Sequence, residues 1–119
     1  MKPITVVSLT PFLKAAKSLG LNEQDISLIE SGVAYAPDDG DVIEGTGGMR
    51  KRRVALPNRN KGKSGGGRLF TLFTGADAPV FIITLIDKSA SDNLTKSERN
   101  DLSILVKVLK TNYRRKGDV

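Results

Sequence analysis

Residues 45–68, GTGGMRKRRVALPNRNKGKSGGGR, carry Arg50, Lys51, Arg52, Arg53, Arg59, Lys61, Lys63 and Arg68 without one acidic residue. Cations at this density repel one another unless an anion lies across them. The simplest extended anion is a nucleic-acid backbone, which releases counterions for each phosphate neutralised. Glycines bracket the segment, Gly45, Gly47 and Gly48 in front and 65–67 behind, letting the backbone turn tightly into and out of a strand-like run at 49–56. In a strand, Lys51 and Arg53 share one side with Ala55. Cations on a sheet face beside the cation-rich loop 59–63 build a concave basic surface. Two nucleotide motifs fail on spacing. Gly62-Lys63-Ser64 has Pro57 where a phosphate loop requires glycine. Gly45-Thr46-Gly47-Gly48 has Arg50 where the dinucleotide fingerprint requires glycine.

The whole chain supports a local reading of this charge. Its 119 residues carry a net charge of +6, and 39% are apolar. That suits one folded domain over residues 1–113, with 114–119 as a basic flexible tail. The segment 45–68 alone holds more positive charge than the net excess, which argues for a binding face. The absence of cysteine excludes a disulfide framework and thiolate metal sites. The absence of histidine removes the commonest metal ligand and the usual acid–base group of neutral pH. No metal and no cofactor are therefore expected. No apolar run could span a bilayer, and the first residues are too short for a signal peptide, so a cytoplasmic protein without membrane contact is expected.

The elements that must position the cations follow from pattern. Residues 4–9 are apolar and β-branched, a first strand at the edge of a sheet. Thr10-Pro11 reads as a hydroxyl cap followed by a ring suited to a first helical turn, and Gly20 ends that helix. Asn22 caps a second helix with Ile26, Ile29 and Val33 along one side, ending at Ala36-Pro37. Residues 38–41 form a turn. After the basic segment, 68–74 and 80–86 are β-rich and joined by a turn at 75–79, which predicts an antiparallel pair with 49–56 as a third strand. Thr95-Lys96-Ser97-Glu98 is a capping box that opens a helix with Leu102, Leu105, Val106, Leu109 and Tyr113 on one face. The expected class is α+β, a helical hairpin and a C-terminal helix packed around an antiparallel sheet of three or four strands.

The order GDVIEGTGGMRKRRVALPNRNKGKSGGGRLFTLF followed by VFIITLIDKSASDNLTKSE resembles the RelE/ParE toxin superfamily, and within it the HigB-like branch. The resemblance runs from about Thr10 to Leu109 and rests most on GTGGMRK and GKSGGGR. It implies a compact toxin of a type II toxin–antitoxin pair. Most such proteins enter the ribosomal A site and cut messenger RNA there, and the ParE relatives instead poison DNA gyrase. It also implies a cognate antitoxin as partner, of helix-turn-helix type. By this resemblance Lys51 and Arg53 match basic strand positions of the cutting site, Arg68 a phosphate-binding arginine, Lys88 the lysine ending the next strand, and Asp92 an acid. Arg50, Arg52, Arg59, Lys61, Lys63 and Phe70 are the expected nucleic-acid contacts. The chain departs from the superfamily at Ser89, where relatives often have arginine, at Leu94, where they often have tyrosine, and at Phe70 and Phe73, where HigB-like chains often have tyrosine.

Cleavage without histidine is chemically coherent. The ribose 2′-oxygen attacks the neighbouring phosphate through a more negative, pentavalent transition state. Fixed cations stabilise that added charge more than they stabilise the substrate. Arg53 and Arg68 suit the task because guanidinium grips phosphate in two places and stays charged. Lys51 or Lys88, crowded by like charges, is a candidate base, with Asp87 or Asp92 as the alternative base or orienting group. Holding the reacting atoms in line on the ribosome would supply much of the rate. Two other classes stay open on sequence alone: a gyrase-directed inhibitor and a module that binds nucleic acid without cutting it.

Overall fold

A computed structural model describes residues 2–59, 66–91 and 93–113. The strands are β1 (Val6–Ser8), β2 (Asp41–Val42), β3 (Arg50–Val54), β4 (Gly67–Leu72) and β5 (Val80–Asp87), and the helices are α1 (Thr10–Ser18), α2 (Glu23–Tyr35) and α3 (Lys96–Asn112). They make an α+β fold around a five-stranded sheet of order β1-β5-β4-β3-β2. The three central strands pair antiparallel, as the turn chemistry predicts. The sheet departs from the expected antiparallel sheet of three or four strands in two respects. The first strand lies at the edge but runs parallel to β5, and the short β2 adds a second edge beside β3.

Both faces of the central strands are covered, so β4 is buried along its whole length and β5 reads as a nearly unbroken apolar run. On one face Phe12, Ala16, Ile29 and Val33 of the helical hairpin pack on Leu69, Val80, Ile82 and Leu85. On the other, Val106 and Leu109 of α3 pack on Met49, Phe70, Leu72, Phe81 and Ile83. Burying one such side chain stabilises by roughly 1.5–3 kcal/mol, against about 0–1 kcal/mol for an exposed ion pair. The two apolar layers therefore hold the fold, and the charged rim is left for binding.

The helix starts follow local chemistry. Asn22 and Asp25 form a reciprocal capping box at α2, and Thr95 and Glu98 form one at α3. At α1 the expected Thr10 cap is corrected: Thr10 is already helical, and Leu9, whose side chain cannot accept a hydrogen bond, holds the cap position before Pro11. Gly20 takes φ of +79°, the left-handed turn that ends α1. Of the C-terminal apolar face, Tyr113 stays half exposed while its ring meets Phe81 edge-on at 4.9 Å. Among the described residues no helix is long and apolar enough to cross a membrane.

Candidate nucleic-acid interface

The β3–β4 register divides the run of four cations. Lys51 stands opposite Phe70, and Arg53 opposite Arg68. Directly opposed residues share a face, so Lys51, Arg53 and Arg68 lie on the α3 side, as alternation in the sequence requires. Arg50 and Arg52 fall on the hairpin side. Lys51, Arg53 and Arg68, together with Arg52, line a cleft of about 640 Å³, whose opposite wall is the turn of Asp38, Asp39, Gly40 and Asp41.

Each cation of the cleft is held differently. Arg68 is only 4% exposed, because β4 is central and its neighbours close over it, and its Nη1 donates to the Gly67 carbonyl at 3.0 Å. A guanidinium buried this deeply is preorganised, with little rotamer freedom left to lose on binding. Lys51 Nζ donates to Asn93 Oδ1 at 2.5 Å. Asn93 is itself fixed by a tight turn in which its N–H donates to Ser91 Oγ and its carbonyl accepts from the same hydroxyl. Arg53 is exposed. The site thus combines a buried arginine, a hydrogen-bonded lysine and an exposed arginine. Asn93 is the residue that sequence reasoning passed over, and only its proximity to Asp92 could have signalled it.

The remaining expected contacts are placed otherwise. Lys88 follows β5 and is exposed, with its N–H donating to the Gly66 carbonyl beside the start of β4, and it does not line the cleft. Arg50 Nη1 donates to the Gly40 carbonyl at 2.9 Å. Arg52 Nη1 donates to the Ala36 carbonyl, and its Nη2 lies 3.5 Å from Asp39. Burial draws the Arg52 pKa below its ordinary value, opposed by Asp39 and Asp38, and an arginine so placed stays charged at neutral pH. These two arginines fasten residues 36–40 to the sheet. Arg59 pairs with Asp87 at 2.6 Å and fastens the base of the basic loop to the end of β5.

Phe70, expected as a stacking platform, is a core residue at 1% exposure, because its side chain faces the layer under α3. Phe73 is partly buried against the hairpin core. Leu94 packs into the α3 layer. Asp92, Lys61, Lys63 and the segment 114–119 lie outside the described residues.

Asp87 was a candidate base, and its surroundings bear on that role. Burial raises its pKa, but the Ser89 N–H, the Arg59 guanidinium, the Ser89 hydroxyl and the Arg59 charge together outweigh this and hold it below the ordinary carboxylate range. The contacts are Ser89 N–H at 3.0 Å and Ser89 Oγ–H at 2.8 Å, both to Oδ1, and Arg59 to Oδ2. A carboxylate so well satisfied is a weak base and a good anchor. Ser89 serves to hold it.

The arrangement can grip a phosphodiester from two strands and stabilise added negative charge on it. The acidic wall at 38–41 narrows where an anion can lie, favouring the Arg53–Arg68 side. A family model described as the RelE toxin of the RelE/RelB toxin–antitoxin system matches residues 7–116, nearly the whole chain and every element of the cleft. This protein belongs to the RelE toxin family.

Proposed function

We propose that this chain is a ribosome-dependent endoribonuclease of the HigB-like branch, working without a metal, which cuts messenger RNA in the ribosomal A site and so stops translation until a cognate helix-turn-helix antitoxin silences it. The observation that carries this reading is the direct opposition of Arg53 and Arg68, with Lys51 in the same cleft. Two guanidinium groups brought to one face of adjacent strands can hold one phosphate between them.

In this reading Arg68 and Arg53 bind the scissile phosphate and stabilise the pentavalent transition state. Lys51, oriented by Asn93, stands beside the attacking 2′-oxygen and assists its deprotonation. Asp87 anchors the base of the loop and takes no proton. The resemblance adds Lys88, Asp92 and the cations of 59–63 as further candidate contacts to the RNA. Activity without histidine is reasonable because charge stabilisation and alignment carry the rate.

Expression in growing cells, with translation followed by amino-acid incorporation and transcript 5′ ends mapped, tests the reading. The expected result is a fall in translation with new 5′ ends inside translated codons. Continued translation with accumulating DNA breaks would instead identify a gyrase-directed toxin. Binding to RNA without new ends would identify a module that does not cut.

A further inference from the structure

Three of the four residues 38–41 are aspartates, and they line the same cleft as Lys51, Arg53 and Arg68. The turn that carries them is fastened in place. Arg50 Nη1 donates to the Gly40 carbonyl at 2.9 Å, and Arg52 Nη1 donates to the Ala36 carbonyl. Gly40 has φ of +98°, and a Cβ built on it would lie 2.6 Å from the Lys51 carbonyl oxygen. Only glycine lets the turn lie this close to β3.

The three carboxylates are used differently. Asp39 accepts from the Gly40 N–H at 3.0 Å and pairs with Arg52 at 3.5 Å, so it belongs to the fastening. Asp38 and Asp41 are exposed, and among the described residues neither lies in an ion pair. Asp41 stands directly opposite Lys51, which puts its side chain on the cleft face of the sheet. The Lys51 Nζ itself donates to Asn93. An aspartate side chain is short, and on a fastened backbone it has little room to swing away from an incoming anion. A phosphate that reaches Arg53 and Arg68 therefore approaches two carboxylates across the cleft.

We propose that Asp38 and Asp41 are specificity-determining residues, held in the cleft to weaken its grip on free RNA. A site discriminates by repelling the wrong partner as well as by attracting the right one. Lys51, Arg53 and Arg68 alone would take any polyanion, since phosphate contacts carry no sequence information. Two carboxylates facing them lower that indiscriminate affinity. A phosphodiester already held in line by a larger assembly depends on it less, because its positioning is supplied from outside. Free RNA must supply its own binding energy and is disfavoured. The inference rests on reading the cleft as an RNA site, and it gives that reading a selectivity for messenger presented on the ribosome.

The test is fluorescence anisotropy with a labelled, unstructured single-stranded RNA of about twelve nucleotides, free of ribosomes. It is titrated with the full chain, with Asp38→Asn and Asp41→Asn singly and together, and with Asp77→Asn. Asp77 is exposed in the turn between β4 and β5, at the far end of β4 from Arg68, so it changes net charge equally but away from the cleft. Measurement in about 0.1 M salt, where the Debye length is about 10 Å, screens that distant charge. Each cleft change should tighten RNA binding at least about twofold, and the pair about fivefold. Asp77→Asn should leave it within about 1.5-fold. Affinity unchanged or weakened by the cleft changes, or raised as much by Asp77→Asn, would overturn the inference. Arg53→Gln in the same assay separates the two readings. If it weakens binding, the cleft remains the RNA site and only the inference falls; if it does not, both fall. Tighter binding by the aspartate variants of a chain that cuts no messenger would leave the inference standing and remove the ribonuclease reading instead.

Discussion

Replacing Arg53 by glutamine should make the protein more stable and less active at once. Arg53 stands directly across from Arg68, and opposed residues of an antiparallel pair have Cβ atoms about 4.5–5.5 Å apart. Two unit charges about 5 Å apart at an effective dielectric near 20 repel by about 3 kcal/mol. That is an upper bound, because Arg53 is exposed and its long side chain can swing away. Like-charge pairs across strands typically cost about 0.2–1 kcal/mol. Urea unfolding at low salt should therefore show Arg53→Gln gaining about 0.5 kcal/mol, a midpoint shift of roughly 0.2–0.5 M. At about 1 M salt, where the Debye length is near 3 Å, the gain should largely vanish. Cleavage of ribosome-bound RNA should fall by about 10²–10³-fold, the usual cost of one transition-state donor. A variant that loses stability, or whose gain ignores salt, would show that the two guanidinium groups do not face one another. Unchanged cleavage would remove Arg53 from the chemistry.

Arg68→Lys keeps the charge and loses the fork, so RNA affinity should change little by filter binding while the cleavage rate drops by at least on the order of tenfold. Asn93→Ala removes one hydrogen-bond partner of Lys51 without touching the core. Its unfolding free energy should stay within about 0.5 kcal/mol of the parent while cleavage falls, and an unchanged rate would deny Asn93 a positioning role. Asp87→Asn should cost about 1–3 kcal/mol at neutral pH by denaturant unfolding. The folded pKa of Asp87 is lowered, so its contribution is present above the ordinary aspartate value of about 3.9 and is lost as pH falls through the lower folded value. The parent should therefore lose stability steeply below about pH 4, and the variant should lose less over the same range.

Local signals in the sequence carried most of the fold. The capping boxes at Asn22 and Thr95 and the glycine after α1 each act within a few residues, so their partners can be read directly from the chain. Strand alternation likewise puts Lys51 and Arg53 on one face, and Arg68 joins them through the β3–β4 register. What escaped depends on distant partners. The parallel pairing of β1 with β5 joins opposite ends of the domain, and no local pattern encodes it. Arg50, Arg52 and Arg59 look the same as Arg53 in composition, but each finds a carbonyl or carboxylate brought to it by the fold. Phe70 alternates as an exposed aromatic would, and it is buried because α3 covers that face. Charge in the sequence thus marked the region, and the fold decided which cations are taken up by carbonyls and carboxylates.

The most direct measurement uses purified translating ribosomes programmed with a short messenger whose A-site codon carries either ribose or 2′-deoxyribose at the scissile position. If Arg53 and Arg68 grip a phosphodiester attacked by its own 2′-oxygen, the ribose messenger is cut to a 2′,3′-cyclic phosphate end and the deoxy messenger stays whole. Cutting of the deoxy messenger, or a ribose messenger left intact by the active toxin, would contradict the account.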